Sequence, residues 1–272
     1  MGAPDDVVKV FLFALLTALA TGLGALPFLF AKHATRSWLG VSNALASGLM
    51  LAASFGLVYE GVAYGLGRTL LGVVLGLGFV VLTRALLQHE EHPAVFASMG
   101  GFDARKALLI VGVMTLHSFT EGVGVGVSFG GGQGLGLFIT LAIAVHNIPE
   151  GLAISLVLVP RGVGVGGAAL WSVFSSLPQP LMAVPAFLFV ALFEPLLPIG
   201  LGFAGGAMIW MVFSELVPDA LEETRSNIVA AVITLAVAAM VAFQFLIRWH
   251  NSALDDPKPA SSWLTICPRL KR

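Results

Sequence analysis

Residues 135–159 read LGLFITLAIAVHNIPEGLAISLVLV, and Glu150 is the only Asp, Glu, Lys or Arg in this run. A helix rises 1.5 Å per residue, so a run of this length crosses the roughly 30 Å of hydrocarbon in a bilayer. The rest of the chain is similar, with 57% hydrophobic and 11% charged residues and a mean hydropathy of +0.94. One soluble core cannot bury so much apolar surface, so most of it must face lipid.

Seven further apolar runs of membrane-spanning length flank this one. The eight runs occupy residues 7–31, 41–63, 66–87, 107–129, 135–159, 166–193, 197–217 and 228–249. Asp5 and Asp6 precede the first run, where a secretory signal needs positive charge, so we interpret that run as a membrane span. The prediction is an all-α, polytopic membrane protein with eight transmembrane helices in a single bundle. Residues 1–250 form this transport domain, and residues 251–272 form a polar C-terminal tail.

Charge indicates the orientation and excludes one class of partner. The odd-numbered loops hold seven Lys and Arg residues, against three near the spans at the termini and in the even-numbered loops, which favours both termini outside the cell. A bacterial inner membrane or plasma membrane is the default location.

The net charge of -1 argues against nucleic acid, which requires a basic face. Cys267 is the single cysteine, so any metal ion must meet nitrogen and oxygen ligands.

The run at 135–159 contains a motif that the preceding run repeats. Residues 117–122 read HSFTEG and residues 146–151 read HNIPEG, so both match His-x-x-x-Glu-Gly. Helical residues four apart share one face, and consecutive spans joined by a short loop are antiparallel. The two motifs therefore face each other near the midplane, between helices 4 and 5. The predicted metal ligands are His117, Glu121, His146 and Glu150.

Placing ionisable side chains at the bilayer centre requires compensation. A single carboxylate at that depth costs roughly 2.5–3.5 kcal/mol on insertion scales, and a bound cation supplies the compensation. Imidazole and carboxylate ligands without thiolate suit zinc, and also iron(II), manganese or cobalt. The alternative is that each His and Glu pair only holds two helices together, although Ser, Thr, Asn and Gln usually do this. Pro149 cannot donate to the carbonyl of Val145, which predicts an opened turn beside His146.

Glycines at four-residue spacing, and a polar loop, carry weaker predictions. The glycines allow helix backbones to approach closely, for tight packing or as a sliding face. They are Gly72 and Gly76, Gly122, Gly126 and Gly130, and Gly202 and Gly206. His89 and His92 lie in the loop at 88–106, where histidines are more often solvated than metal-binding.

The paired motifs, the Pro-Glu-Gly at 149–151 and the eight runs together resemble the ZIP metal transporters, and most closely their bacterial GufA-like branch. Further matching stretches are ALATGLGALP at 18–27, ASGLMLAAS at 46–54, GAMI at 206–209 and SELVPDA at 214–220. The resemblance implies a metal centre made by the four residues above, with Asn147 at a further liganding place. Relatives often add a glutamate from span six that binds a second metal. Gln179 stands there and brings a carbonyl oxygen without charge. This leaves open whether the site binds one metal ion or two.

Three other functions fit the sequence less well than a carrier does. Cation diffusion facilitators favour His-x-x-x-Asp and add a sizeable soluble domain, for which the tail is too short. A membrane-embedded zinc hydrolase needs an asymmetric acid and base, which duplicated ligands do not offer. A non-transporting metal sensor leaves the cost of the buried ligands unexplained. We expect a carrier of divalent metal ions, most of all zinc, toward the cytoplasm, and not an enzyme. Its partners are metal ions and lipid, and the sequence leaves a homodimer open.

Overall fold

The computed structural model of the chain describes residues 4–30, 36–87, 102–192 and 194–255. These residues form helices, and no strand occurs among them. The major helices are α1 (Pro4–Leu23), α2 (Arg36–Leu87), α3 (Phe102–Gly130), α4 (Gln133–Leu158), α5 (Val165–Ser175), α6 (Pro178–Leu192), α7 (Leu197–Met211), α8 (Val217–Glu223) and α9 (Ser226–Asp255). Short 3-10 turns occupy Leu26–Leu29, Val159–Arg161 and Glu194–Leu196, and a π-helical turn, Val212–Leu216, joins α7 to α8. His89, His92, Cys267 and most of the predicted tail lie outside the described residues.

The described helices have the lengths and the surface of a membrane bundle. Six segments are long and apolar enough to cross a bilayer, namely Asp5–Leu29, Ser37–Thr83, Gln133–Leu158, Val165–Leu192, Leu197–Glu223 and Ser226–Ile247. Large apolar side chains such as Leu170 and Leu235 are exposed, whereas polar ones such as Thr21 and Ser54 are buried. This distribution suits a bundle that is surrounded by lipid. The helices also satisfy their own backbone hydrogen bonds, as membrane-spanning segments must. The prediction of an all-helical, polytopic membrane protein is confirmed.

Helix α2 is a hairpin of two helical arms, residues 36–64 and 66–87. Gly65 lies between them with φ 154° and ψ 108°, a conformation that glycine adopts readily and other residues rarely do. A Cβ atom built on Gly61 would lie 2.8 Å from Thr69 Cγ2. Residues eight apart in a straight helix are separated by about 12 Å along its axis, so the chain must turn back at Gly65.

The helices cross most closely at glycines. A Cβ atom on Gly72 or Gly76 would collide with the α7 backbone at Ile199 or Phe203. Conversely, a Cβ atom added to Gly206 on α7 would lie 2.5 Å from the carbonyl oxygen of Val73 on α2. Without such atoms the α2 and α7 backbones touch, which packs helices in lipid where no hydrophobic force draws them together. These glycine pairs confirm the prediction of close packing.

The break in the spans falls at a different place from the one predicted. Helix α4 runs uninterrupted through Pro149, so the predicted opening there is wrong. The Ser42 hydroxyl on α2 donates to the Pro149 carbonyl (3.1 Å), which ties this turn of α4 to its neighbour. The sixth apolar run is instead divided into α5 and α6. Pro178 has no N–H to continue the helix, and the Gln179 N–H donates to the Ser176 carbonyl (3.0 Å) in a tight turn.

Replacing Gly76 by alanine tests the close crossing of α2 and α7. We expect Gly76→Ala to reduce stability by about 1–3 kcal/mol, since the added methyl group forces two packed backbones apart. The matched control is Gly78→Ala, two residues along the same arm, where an added Cβ meets nothing within 4 Å. Its stability should be unchanged or higher, because alanine favours the helix. Thermal unfolding of both variants in detergent micelles measures the difference, and equal melting temperatures would contradict the crossing.

Candidate metal centre

The six residues predicted for the site lie together in the interior. Helix α3 supplies two of them, α4 supplies three and the first turn of α6 supplies one. Every one is at most 2% exposed. They are His117, Glu121, His146, Asn147, Glu150 and Gln179.

Two imidazoles and two carboxylates form the centre of this cluster. His146 Nε2 lies 2.6 Å from Glu121 Oε1, and His117 Nε2 lies 2.7 Å from Glu150 Oε1. Each of these contacts joins α3 to α4. His117 Nε2 also lies 3.3 Å from Glu121 Oε1, one turn along its own helix. Ligand atoms of His117, Glu121 and His146 all fall within 4.8 Å of one another, which is the spacing of atoms that can share one ion.

Several polar atoms of the cluster lack a hydrogen-bond partner among the residues that the structure describes. Although His117 Nε2 and Glu150 Oε1 are close, their contact lacks hydrogen-bond geometry, and neither atom has another such partner. His146 Nδ1 and Asn147 Oδ1 are also buried without one. Buried polar atoms are nearly always partnered in folded proteins. These atoms are imidazole nitrogens and carboxylate or amide oxygens, which are ligands for zinc and similar divalent ions.

A chain of amide groups borders the cluster on the side of α1 and α6. Asn147 Nδ2 donates to the main-chain carbonyl of Thr17 (2.9 Å) and to Gln179 Oε1 (3.2 Å). Gln179 Nε2 in turn donates to Glu121 Oε2. The Thr17 hydroxyl is also in contact with Gln179 Oε1. One face of the Glu121 carboxylate therefore meets the imidazoles, and the other meets the amide of Gln179.

Two neighbours of the site did not emerge from the sequence. Thr17 lies on α1, one residue before the matching stretch at 18–27, but a threonine in an apolar run gives no signal of its own. Met211 ends α7, and its Sδ lies 3.3 Å from His117 Nδ1. That contact leaves Nε2 of the imidazole facing the carboxylates. Nothing in the spacing of the motifs indicated either residue.

The final glycine of each motif explains how α1 and α6 reach the site. A Cβ atom on Gly151 would collide with the carbonyl of Thr21 on α1, and one on Gly122 would lie 2.5 Å from the main-chain oxygen of Gln179. Both glycines follow a site glutamate directly. Because they carry no side chain, α1 packs against α4 and α6 packs against α3 beside Glu150 and Glu121. The glycine in His-x-x-x-Glu-Gly is therefore a packing residue.

Comparison with known proteins agrees with this geometry. The family model described as ZIP Zinc transporter matches residues 85–247, more than half of the chain. A protein of Arabidopsis thaliana with the provisional name of zinc transporter is 50% identical over 244 residues, which cover 89% of this chain and 39% of that protein. The zinc transporter GufA of Myxococcus xanthus is 37% identical over 219 residues, 76% of this chain and 86% of GufA. The zinc transporter ZupT of Clostridium perfringens is 26% identical over 276 residues, 87% of this chain and 97% of ZupT.

The chain spans well under half of the plant relative but most of the two bacterial relatives. The family match includes both motifs and the residues from α3 into α9, and so contains all six clustered side chains. The chain belongs to the ZIP zinc transporter family.

Proposed function

We propose that this protein carries divalent metal ions, zinc above all, across a membrane toward the cytoplasm. The ion binds at His117, Glu121, His146 and Glu150, with Asn147 beside them. The observation that carries the proposal is the convergence of two imidazoles and two carboxylates from α3 and α4 inside a lipid-facing bundle. The relatives named as zinc transporters support zinc as the cargo.

The chemistry of the site favours cargo binding over a structural role or catalysis. Side chains that only hold helices together would satisfy one another's hydrogen bonds. Here His146 Nδ1 has no partner among the described residues, and His117 Nε2 and Glu150 Oε1, 2.7 Å apart, lack hydrogen-bond geometry. A hydrolase needs an acid or base apart from the metal ligands, whereas all four of these side chains converge as candidate ligands on one point. A transporter of the ZIP family is not an enzyme, and the hydrolase alternative is not favoured.

Eight spans, with the site between the fourth and fifth, are part of the proposal. The reversal at Gly65 supports two spans within α2, and α3 supports a further one because α4 begins three residues after it ends. α1, α4, the α5–α6 pair, the α7–α8 segment and α9 complete the set. We further propose that both termini face outward and that the host is the cell membrane. Homodimer formation stays a prediction.

Imidazole and carboxylate ligands also suit other divalent ions. We therefore propose iron(II), manganese and cobalt as further cargoes, with affinity for such ligands rising from manganese through iron to cobalt. Copper(I) favours thiolate and thioether ligands and is not expected to compete.

Removing one site carboxylate should abolish saturable transport. We expect Glu150→Gln, which keeps the size of the side chain but not its charge, to weaken zinc binding by more than about 100-fold, since losing an outer-shell partner alone typically costs 10–100-fold. The loss of saturable transport is measured as zinc uptake into proteoliposomes, with manganese and iron(II) as competitors. The matched control is Glu222→Gln on α8, where the side chain is exposed. Uptake by Glu150→Gln equal to that of the control would contradict the proposed site.

The single cysteine offers a direct test of the topology. With both termini outside, a membrane-impermeant maleimide added to intact cells should label Cys267 in the wild type. It should also label Ala3→Cys in a Cys267→Ser background. In the same background, Arg225→Cys lies one span before the tail and should react only after the cells are permeabilised. Labelling of Arg225→Cys and Cys267 from the same side would contradict a span at α9, and the inverse pattern would reverse the orientation.

A further inference from the structure

We propose that Gln179 positions Glu121 rather than binding metal, and that the site consequently holds a single divalent ion. This inference rests on the function proposed above and concerns the same site. It follows from the direction in which the Gln179 amide points, from the use of its oxygen, and from the charge that the site can balance.

The orientation of the Gln179 amide is fixed from the main chain outward. The Thr17 carbonyl can only accept hydrogen bonds, so the Asn147 amide must present Nδ2 to it. The same Nδ2 lies 3.2 Å from the Gln179 amide, which must therefore turn its oxygen toward Asn147. Gln179 Nε2 is then left to donate to Glu121 Oε2. A flipped Gln179 would place two donors together at Asn147 and two oxygens together at Glu121.

The oxygen of Gln179 is already used. It accepts from Asn147 Nδ2 and lies in contact with the hydroxyl of Thr17, whose single proton is shared with the main-chain carbonyl of Ala14 (2.7 Å). These two neighbours, on α4 and α1, occupy the space around both lone pairs of the amide oxygen. Gln179 meets the carboxylate of Glu121 through its nitrogen, which is a donor and cannot bind a cation. It therefore holds Glu121 by Oε2 and leaves Oε1 toward the imidazoles of His117 and His146.

The charge of the site sets the same limit. Glu121 and Glu150 together carry two negative charges, which balance one divalent ion while both imidazoles stay neutral. A second divalent ion would leave two uncompensated positive charges in a dry interior, where isolated charge is strongly disfavoured. Gln179 and Asn147 contribute amides and no charge. A carboxylate in place of Gln179 would lie directly against Glu121 and supply one of the two negative charges, and the charged ligand oxygen, that a second ion lacks.

Counting site-bound zinc tests the inference. Full-length protein in detergent micelles is dialysed to equilibrium against zinc, and zinc per chain is measured by elemental analysis. Subtracting the value for Glu121→Gln/Glu150→Gln removes ions bound elsewhere. We expect a difference of one ion for the wild type and of two for Gln179→Glu. A wild-type difference of two, or a Gln179→Glu difference that stays at one, would overturn this inference and leave the proposed function standing. A difference of zero would remove the metal site and the proposed function with it.

A second measurement separates a positioning residue from a ligand. We expect Gln179→Ala to weaken cobalt(II) binding 10–100-fold, as loss of an outer-shell partner typically does. The visible absorption bands of bound cobalt(II) should keep their positions and intensities, because the directly bound atoms are unchanged. Gln133→Ala, at the exposed start of α4, is the matched control and should alter neither quantity. Cobalt(II) bands that shift in Gln179→Ala would identify Gln179 as a ligand and overturn the inference.

Discussion

A carboxylate removed from water inside an apolar bundle must meet partners at short range, and the rest of this structure depends on that constraint. Glu121 meets both imidazoles through one oxygen and an amide through the other, while Glu150 meets His117. These contacts draw α3, α4 and α6 to one point, and Asn147 extends them to α1. Two atoms that this arrangement leaves without a hydrogen-bond partner among the described residues, His117 Nε2 and Glu150 Oε1, are of the kind that a divalent ion binds.

Glycine makes that convergence possible. Gly122 and Gly151, each directly after a site glutamate, let the α6 and α1 backbones approach within a distance that any side chain would prevent. The same device joins α2 to α7 further from the site. Helix contact in lipid depends on shape and polar contacts because burial in hydrocarbon gives little driving force. The site and the packing of the bundle are therefore specified by the same six-residue motif.

Much of this architecture could be predicted from the sequence, because the dominant forces leave local patterns. Apolar runs mark helices that must cross lipid, and four-residue spacing places His and Glu on one face. The break of the sixth run was missed, since Pro149 and Pro178 look alike in sequence. One proline lies in a helix supported by its neighbours, and the other follows a tight turn. Thr17 and Met211 were missed because their roles depend on contacts between distant helices. The direction of the Gln179 amide depends, through Asn147, on the main-chain carbonyl of Thr17 on another helix.

We propose that the buried imidazoles and carboxylates are the ligands of the transported ion. X-ray absorption spectroscopy of purified protein loaded with one equivalent of zinc tests it most directly. A first shell of nitrogen and oxygen at about 2.0–2.2 Å, with outer-shell scattering from two imidazoles, is the predicted result. A shell with sulfur at about 2.3 Å, or one without imidazole scattering, would place the ion elsewhere and contradict the account.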